Sequence, residues 1–107
     1  MSQFTTVAKV GEVPEGRGRT FSIAGRQIAV FFVGGRYYAL DDYCPHMGAS
    51  LGTGDVYQDM VICDRHLWAF KLSDGSCPDA PGLKADTFEV RVQGDEIQVR
   101  VADEEKG

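Results

Sequence analysis

Histidine and cysteine are scarce in this chain, with two and three among its 107 residues. Long apolar runs are missing as well: none approaches the ~18 residues of a membrane-spanning helix, and Met1–Val10 lacks the basic and then apolar pattern of a signal peptide. Positive charge is also in short supply, with 11 Lys and Arg against 16 Asp and Glu and a net charge of −5. That balance argues against a nucleic acid or an anionic membrane as partner. The sequence therefore predicts a cytoplasmic protein.

Helix signals are almost absent, because thirteen glycines and four prolines interrupt every candidate helix longer than about two turns. Strand signals are numerous instead. Apolar and polar residues alternate over 88–93 and again over 97–101, on either side of Gly94-Asp95, which predicts a hairpin with one buried face. Gln27–Val33 is apolar on both faces, so we predict that it is a central strand between two layers.

Further turns and short strands complete an all-β pattern. Gly34-Gly35 follows the central strand and predicts a hairpin into 36–40, while Phe21–Ile23 is a candidate strand on its other side. Short apolar segments farther along the chain predict a small second sheet: Val56-Tyr57, Met60–Cys63 and Trp68–Leu72. At 107 residues the chain is near the commonest size of one domain, so we predict a single domain over 1–107.

Both histidines stand within three residues of a cysteine. Cys44 and His46 form a C-x-H pair, and Cys63 and His66 form a C-x-x-H pair. A lone histidine or cysteine in a loop is ordinarily a satisfied polar residue or a small buried side chain, but the joint pattern favours a metal site. Two thiolates and two imidazoles can hold one zinc ion, or a two-iron cluster with the cysteines on one iron and the histidines on the other. The one-residue gap in C-x-H is tight for a zinc knuckle.

The text around these pairs resembles the cluster-binding loops of Rieske proteins, in Cys44-Pro45-His46-Met47-Gly48-Ala49 and Cys63-Asp64-Arg65-His66-Leu67-Trp68. The resemblance covers nearly the whole chain. It implies the Rieske fold, an antiparallel β-sandwich in which a small cluster-binding part, residues 42–82, is inserted. It also implies one [2Fe–2S] cluster, with each loop giving its cysteine to one iron and its histidine to the other.

Departures from the high-potential members of this family indicate a low-potential site. Rieske proteins of cytochrome bc complexes carry a disulfide between the two loops, whereas Ala49 and Arg65 stand at those positions here. The same relatives place hydroxyl-bearing side chains where this chain has Trp68 and Phe70. Donors to sulfur stabilise the reduced cluster, so their absence lowers the reduction potential. Cys77 begins a Pro- and Gly-containing segment that resembles the loop shielding the cluster, and we do not predict it to be a ligand.

The resemblance implies a one-electron carrier, a Rieske ferredoxin between a reductase and a terminal oxygenase. The alternative is a small subunit resembling that of NADH-dependent nitrite reductase, which would work with a large subunit. A structural zinc module is the third possibility. A complete oxygenase is excluded because its mononuclear iron needs two further histidines and a carboxylate. No nucleophile and base stand together, so we predict no catalytic residue and no enzymatic activity of the chain itself.

Overall fold

The computed structural model describes residues 3–23, 25–42, 50–62, 69–78, 82 and 84–101, with side chains for all of these except Gln3 and Val101. Nine strands and one short 3-10 helix, η1, lie within these ranges. Their bounds are β1 Gln3–Lys9, β2 Arg17–Ile23, β3 Arg26–Val33, β4 Arg36–Asp41, η1 Leu51–Thr53, β5 Asp55–Tyr57, β6 Met60–Ile62, β7 Ala69–Lys71, β8 Thr87–Gln93 and β9 Glu96–Val101.

Six strands form an antiparallel sheet in the order β1-β9-β8-β4-β3-β2. Both predicted hairpins are confirmed. In the β8–β9 hairpin Gln93 pairs with Glu96, and in the β3–β4 hairpin the intervening Gly34 and Gly35 have φ values of +61° and +81°. Only glycine adopts such angles at little cost, so these two residues fix the turn and with it the register of the hairpin.

The remaining strands form the small antiparallel sheet that the short apolar segments predicted, in the order β5-β6-β7. Val56 pairs with Val61, and Val61 pairs with Phe70. The predicted strand ends at Cys63 and Trp68 lie outside the described residues, and Leu72 belongs to the turn that follows β7. The fold class predicted from the sequence, all-β and antiparallel, is therefore confirmed.

β3 is an interior strand of the large sheet, between β4 and β2, and it is buried on both sides, as its two apolar faces predicted. Ile28 and Val30 face one buried cluster, and Ala29 and Phe31 face another. The first cluster is enclosed by the six-stranded sheet and contains Ala8, Val13, Ile23, Ile28, Val30, Ala39, Ile97 and Val99. The second lies between the two sheets and contains Ala29, Phe31, Leu40, Leu51, Val61, Phe70, Leu72, Cys77 and Ala85.

Candidate metal centre

The four predicted ligands, Cys44, His46, Cys63 and His66, lie outside the described residues. Described elements bracket each pair. The segment 43–49 follows β4 and Asp42 and precedes Ser50 and η1, and the segment 63–68 connects β6 to β7. Since β6 and β7 are paired up to Ile62 and Ala69, the second pair stands in the turn of a hairpin whose stem is fixed.

Residues that follow the first candidate segment and η1 pack against the residue that precedes the second. Gly54, just after η1, packs so closely on Ile62 that a Cβ at Gly54 would overlap the carbonyl oxygen of Ile62 and would lie 3.1 Å from Val61 Cγ2. The next residue, Asp55, pairs with Ile62 in the small sheet. The chain after η1 therefore lies directly against the end of β6, the strand that precedes the segment with Cys63 and His66.

The ends of the first segment are also held to each other. The Leu51 N–H donates to the carbonyl oxygen of Asp42 at 2.8 Å, and the Ser50 hydroxyl donates to the Asp42 carboxylate at 2.8 Å. These bonds join the residue before the segment to the residues after it.

Apolar side chains support the stem from below. Val61 and Phe70 of the small sheet are fully buried, and they share a cluster with Leu51 of η1 and Leu40 of β4. Of the two positions at which the high-potential relatives have hydroxyl groups, Phe70 is completely buried and Trp68 lies outside the described residues.

Cys77 contributes to the same apolar cluster, and its side chain is 1% exposed. Burial among apolar side chains is typical of a structural cysteine. Within the described ranges, no three His, Cys, Asp or Glu side chains come together as they would around a metal ion.

The segment predicted to shield the cluster begins from a tight turn. Ser76 and Lys84 form an antiparallel bridge, which brings the two ends of this segment together. The turn before it is stabilised by Asp74, whose Oδ1 accepts the Ser76 N–H at 2.9 Å and the Ser76 hydroxyl at 2.7 Å. These hydrogen bonds, and the nearby ammonium groups of Lys71 and Lys84, lower the pKa of the Asp74 carboxyl.

Two surface grooves accompany these elements. One has a volume of about 290 Å³ and lies between β2 and η1, where it is lined by Arg17, Gly18, Gly52, Thr53 and Gly54. The other, of about 510 Å³, lies at the end of β4 that is far from Asp42, around Arg36 and Tyr38.

Three polar residues at the candidate centre were not predicted from the sequence: Asp42, Ser50 and Thr20. Asp and Ser beside a loop are ordinary turn residues, so their types alone did not distinguish them. Thr20 lies 22 positions from Asp42, and no local pattern connects the two. The sequence nevertheless gave one indication that Asp42 has a special role, since it is a charged residue between a buried strand and the C-x-H pair.

A family model of the Rieske [2Fe–2S] domain matches residues 3–104. The chain belongs to this family. The predicted [2Fe–2S] cofactor is confirmed with it, since that cluster defines the family. The residues present fit such a group: the chain offers two cysteines and two histidines, a donor set suited to a cluster with mixed ligands, and Gly54, after the first segment and η1, packs on Ile62, just before the second.

Relatives of known activity are similar over different extents. The chain is 38% identical over 71 residues to cholesterol 7-desaturase of Xenopus laevis, covering 64% of this chain and 16% of that protein. It is 30% identical over 98 residues to the biphenyl dioxygenase ferredoxin subunit of Pseudomonas sp. strain KKS102, covering 90% of each. The chain thus spans less than a fifth of the desaturase and nearly all of the ferredoxin.

Solved structures add a second kind of relative of similar length. A Mycobacterium tuberculosis protein assigned as the small subunit of an NADH-dependent nitrite reductase superposes with a TM-score of 0.89 at 29% identity, covering 95% of this chain and 97% of that one. The ferredoxin in the complex of reduced oxygenase and oxidised ferredoxin of carbazole 1,9a-dioxygenase superposes with a TM-score of 0.83 at 31% identity, covering 90% and 91%. In the ranges that our structure describes, no helix is long and apolar enough to cross a membrane.

Proposed function

We propose that this chain is a Rieske ferredoxin that carries single electrons from a reductase to a terminal oxygenase, and that Cys44, His46, Cys63 and His66 hold its cluster. The observation that supports this most is the arrangement of the bracketing elements. Gly54, which follows Ser50 and η1, lies against Ile62, the residue before the segment with the C-x-x-H pair. Near-complete coverage of a dioxygenase ferredoxin subunit supports the assignment to electron transfer.

Each described element has a part in this function. A bound [2Fe–2S] cluster supplies reversible one-electron transfer. The β6–β7 stem fixes the ends of the second ligand segment, and Asp42 with Ser50 fixes those of the first. The buried side chains of Val61 and Phe70 exclude water from beneath both segments. The chain therefore orients the ligands from a rigid floor, and needs no catalytic group of its own.

The remaining parts of the proposal concern organisation and partners. We expect one domain over 1–107 in which the part that binds the cluster, residues 42–82, is inserted into the larger sandwich. The partners are proteins of an oxygenase system, by analogy with the oxygenase–ferredoxin complex of carbazole 1,9a-dioxygenase. We expect the protein in the cytoplasm, where a carrier without disulfides remains in a reducing environment.

The test is the metal content of the purified protein. We expect two irons and two acid-labile sulfides per chain, a red-brown colour, and an electron paramagnetic resonance signal after reduction by one electron. The zinc alternative predicts a colourless protein with one zinc per chain, and that result would end the proposal. Treatment with a strong iron chelator should bleach the protein in parallel with iron release.

A second candidate is the small subunit of an NADH-dependent nitrite reductase, because a protein assigned to that role superposes over 95% of this chain. The two functions differ in the partner. Co-expression discriminates between them. The chain is expressed once with a reductase and an oxygenase from its own organism, and once with a nitrite reductase large subunit. A carrier should be reduced by the reductase and released, whereas a subunit should co-purify with its partner in a fixed ratio.

A further inference from the structure

The carboxylate of Asp42 is buried, with the residue 7% exposed. A single oxygen, Oδ1, accepts three hydrogen bonds, from Thr20 Oγ1 at 2.9 Å, Ser50 Oγ at 2.8 Å and the Gly52 N–H at 2.7 Å. The donors come from β2, from the end of the first ligand segment and from η1. A buried carboxylate is costly unless it is hydrogen-bonded, so this convergence of donors is the local reason that Asp42 is tolerated there.

The backbone of Asp42 ties the same parts together. Its N–H donates to the carbonyl oxygen of Gln27 on β3 at 2.9 Å, and its carbonyl oxygen accepts the Leu51 N–H at 2.8 Å. Asp42 therefore joins β3 of the large sheet to both ends of the segment 43–49.

Gly52 is fitted to this arrangement. A Cβ at Gly52 would overlap Thr20 Oγ1 and would lie 3.0 Å from Asp42 Oδ1. The absence of a side chain at this position lets the Gly52 N–H reach the carboxylate. The hydroxyls of Thr20 and Ser50 then fill the remaining directions around the same oxygen, 3.5 Å from each other.

From this geometry we infer that Asp42 is a positioning residue of the metal centre, which clamps the segment carrying Cys44 and His46 through Oδ1. The inference rests on the proposed ligands. Asp42 precedes Cys44 by two residues, so their Cα atoms are at most about 7 Å apart. Its negative charge is therefore close enough to act on the electrostatics of the centre as well as on its shape.

The experiment compares Asp42→Ala, which removes the acceptor and the charge, with Asp42→Asn, which keeps an Oδ1 acceptor and removes the charge. Asp59→Asn is the matched control, because Asp59 is an exposed carboxylate at the β5–β6 turn, away from these contacts. The readouts are iron release to a chelator, the midpoint potential of the holoprotein, and amide hydrogen exchange of Gly52 in the apoprotein.

For Asp42→Ala we expect iron release about ten- to a hundred-fold faster than in the wild type, the range seen when residues that orient metal ligands are lost. The amide hydrogen exchange rate of Gly52 in the Asp42→Ala apoprotein should also exceed that of the wild type. Asp42→Asn should recover most of the iron retention but shift the midpoint potential upward, since a negative charge is removed, while Asp59→Asn should leave both nearly unchanged. A structural role alone would not move the potential in Asp42→Asn.

Wild-type iron release and wild-type Gly52 exchange in Asp42→Ala would overturn the inference. Should this variant fail to fold, Asp42→Asn and Ser50→Ala carry the same comparison. If the wild-type protein binds no [2Fe–2S] cluster, the proposed function fails. The role of Asp42 in holding the segment 43–49 is then tested by the amide hydrogen exchange rate of Gly52, compared between the wild-type and Asp42→Ala apoproteins.

Discussion

The two sheets of this protein are held together in different ways. Strands of the large sheet are six to eight residues long, whereas β5, β6 and β7 have three residues each. In the large sheet β3 buries side chains on both faces, while β6 and β7 each bury one side chain completely, Val61 and Phe70. The small sheet is therefore stabilised more by packing against the large sheet than by the hydrogen bonds between its own three strands.

This difference means that stability and function depend mainly on different parts of the molecule. Most of the buried apolar residues belong to the large sheet, whereas one of the two candidate ligand segments lies between the strands β6 and β7 of the small sheet. Elements that carry function are commonly drawn from the less stable parts of a fold. We therefore expect changes near the ligand segments to disturb the centre while the large sheet remains folded.

The largest effect should follow from loss of a ligand. Replacing His66 by alanine should abolish or strongly change the visible spectrum of the cluster, because the second iron loses one of its imidazole ligands. Far-ultraviolet circular dichroism should keep most of its β signal, since the large sheet does not depend on this residue. An unchanged visible spectrum would show that His66 is not a ligand.

Cys77→Ala is the control for loss of a ligand, because it removes the one cysteine that we do not predict to bind the cluster. The thiol is buried in the apolar cluster between the sheets, so its removal should reduce the free energy of unfolding by about 1 kcal/mol, a typical value for a single substitution, and leave the visible spectrum intact. Bleaching of this variant would make Cys77 a ligand.

Gly54→Ala should have the next largest effect. The backbone at Gly54 has φ −75° and ψ 164°, which other residues adopt freely, so the cost is steric and arises from overlap with Ile62. We expect a loss of about 1–3 kcal/mol in unfolding free energy, as for other overpacked sites, together with faster iron release.

Gly18→Ala makes the same chemical change in the large sheet. Its added methyl group would overlap the ring of Phe31 on β3, so stability should fall by a similar amount. Iron release from the folded protein should stay close to the wild-type rate. Equal acceleration of iron release in both variants would mean that the two sheets respond as one unit.

The same comparison explains what the sequence could predict. The hairpins of the large sheet were predictable because alternating residues flank glycines with positive φ, as at Gly34, Gly35 and Gly94. The three short strands were recognisable as apolar segments between turns. The four candidate ligands were recognisable because both histidines stand beside cysteines, which is a local pattern.

Features that depend on distant contacts were not predicted. β1 was missed because its register with β9 shifts between Thr6 and Ala8, and such an irregularity breaks the alternation that marks a strand. β2 begins at Arg17, four residues before the predicted start at Phe21, because Gly18 packs on Phe31 of the neighbouring strand. The hydrogen bonds to Asp42 also join residues far apart in the chain, so no local pattern marks them.

A smaller effect concerns the reduction potential, which should lie at the low end of the Rieske range of roughly −150 to +300 mV. Phe70 is a buried apolar residue and Trp68 carries no hydroxyl, so neither side chain offers a hydroxyl donor to sulfur. A redox titration monitored by circular dichroism measures the midpoint. A value near the top of the range would show that backbone N–H donors of the ligand segments outweigh the missing hydroxyls.

The smallest effect should come from Asp74, in the turn that follows β7. Its carboxylate accepts the backbone N–H and the hydroxyl of Ser76, and Lys71 and Lys84 lie near it, so its pKa is lowered below the usual 3.8. A carboxyl with a lowered pKa in the folded state stabilises the fold above its unfolded pKa, and this contribution disappears as the pH falls through the folded value. Since Asp74 is exposed, solvent keeps the contribution small.

Asp74→Asn isolates this contribution, because the amide keeps an acceptor for Ser76 but cannot ionise. The wild type should have the higher thermal midpoint at about pH 6, and the difference between the two proteins should shrink as the pH is lowered to about 3, through the range in which Asp ionises. Asp59→Asn, at an exposed turn without such hydrogen bonds in the described structure, should show a weaker trend. A difference that grew toward acid pH would reverse the sign of the linkage and show that Ser76 does not favour the ionised form of Asp74.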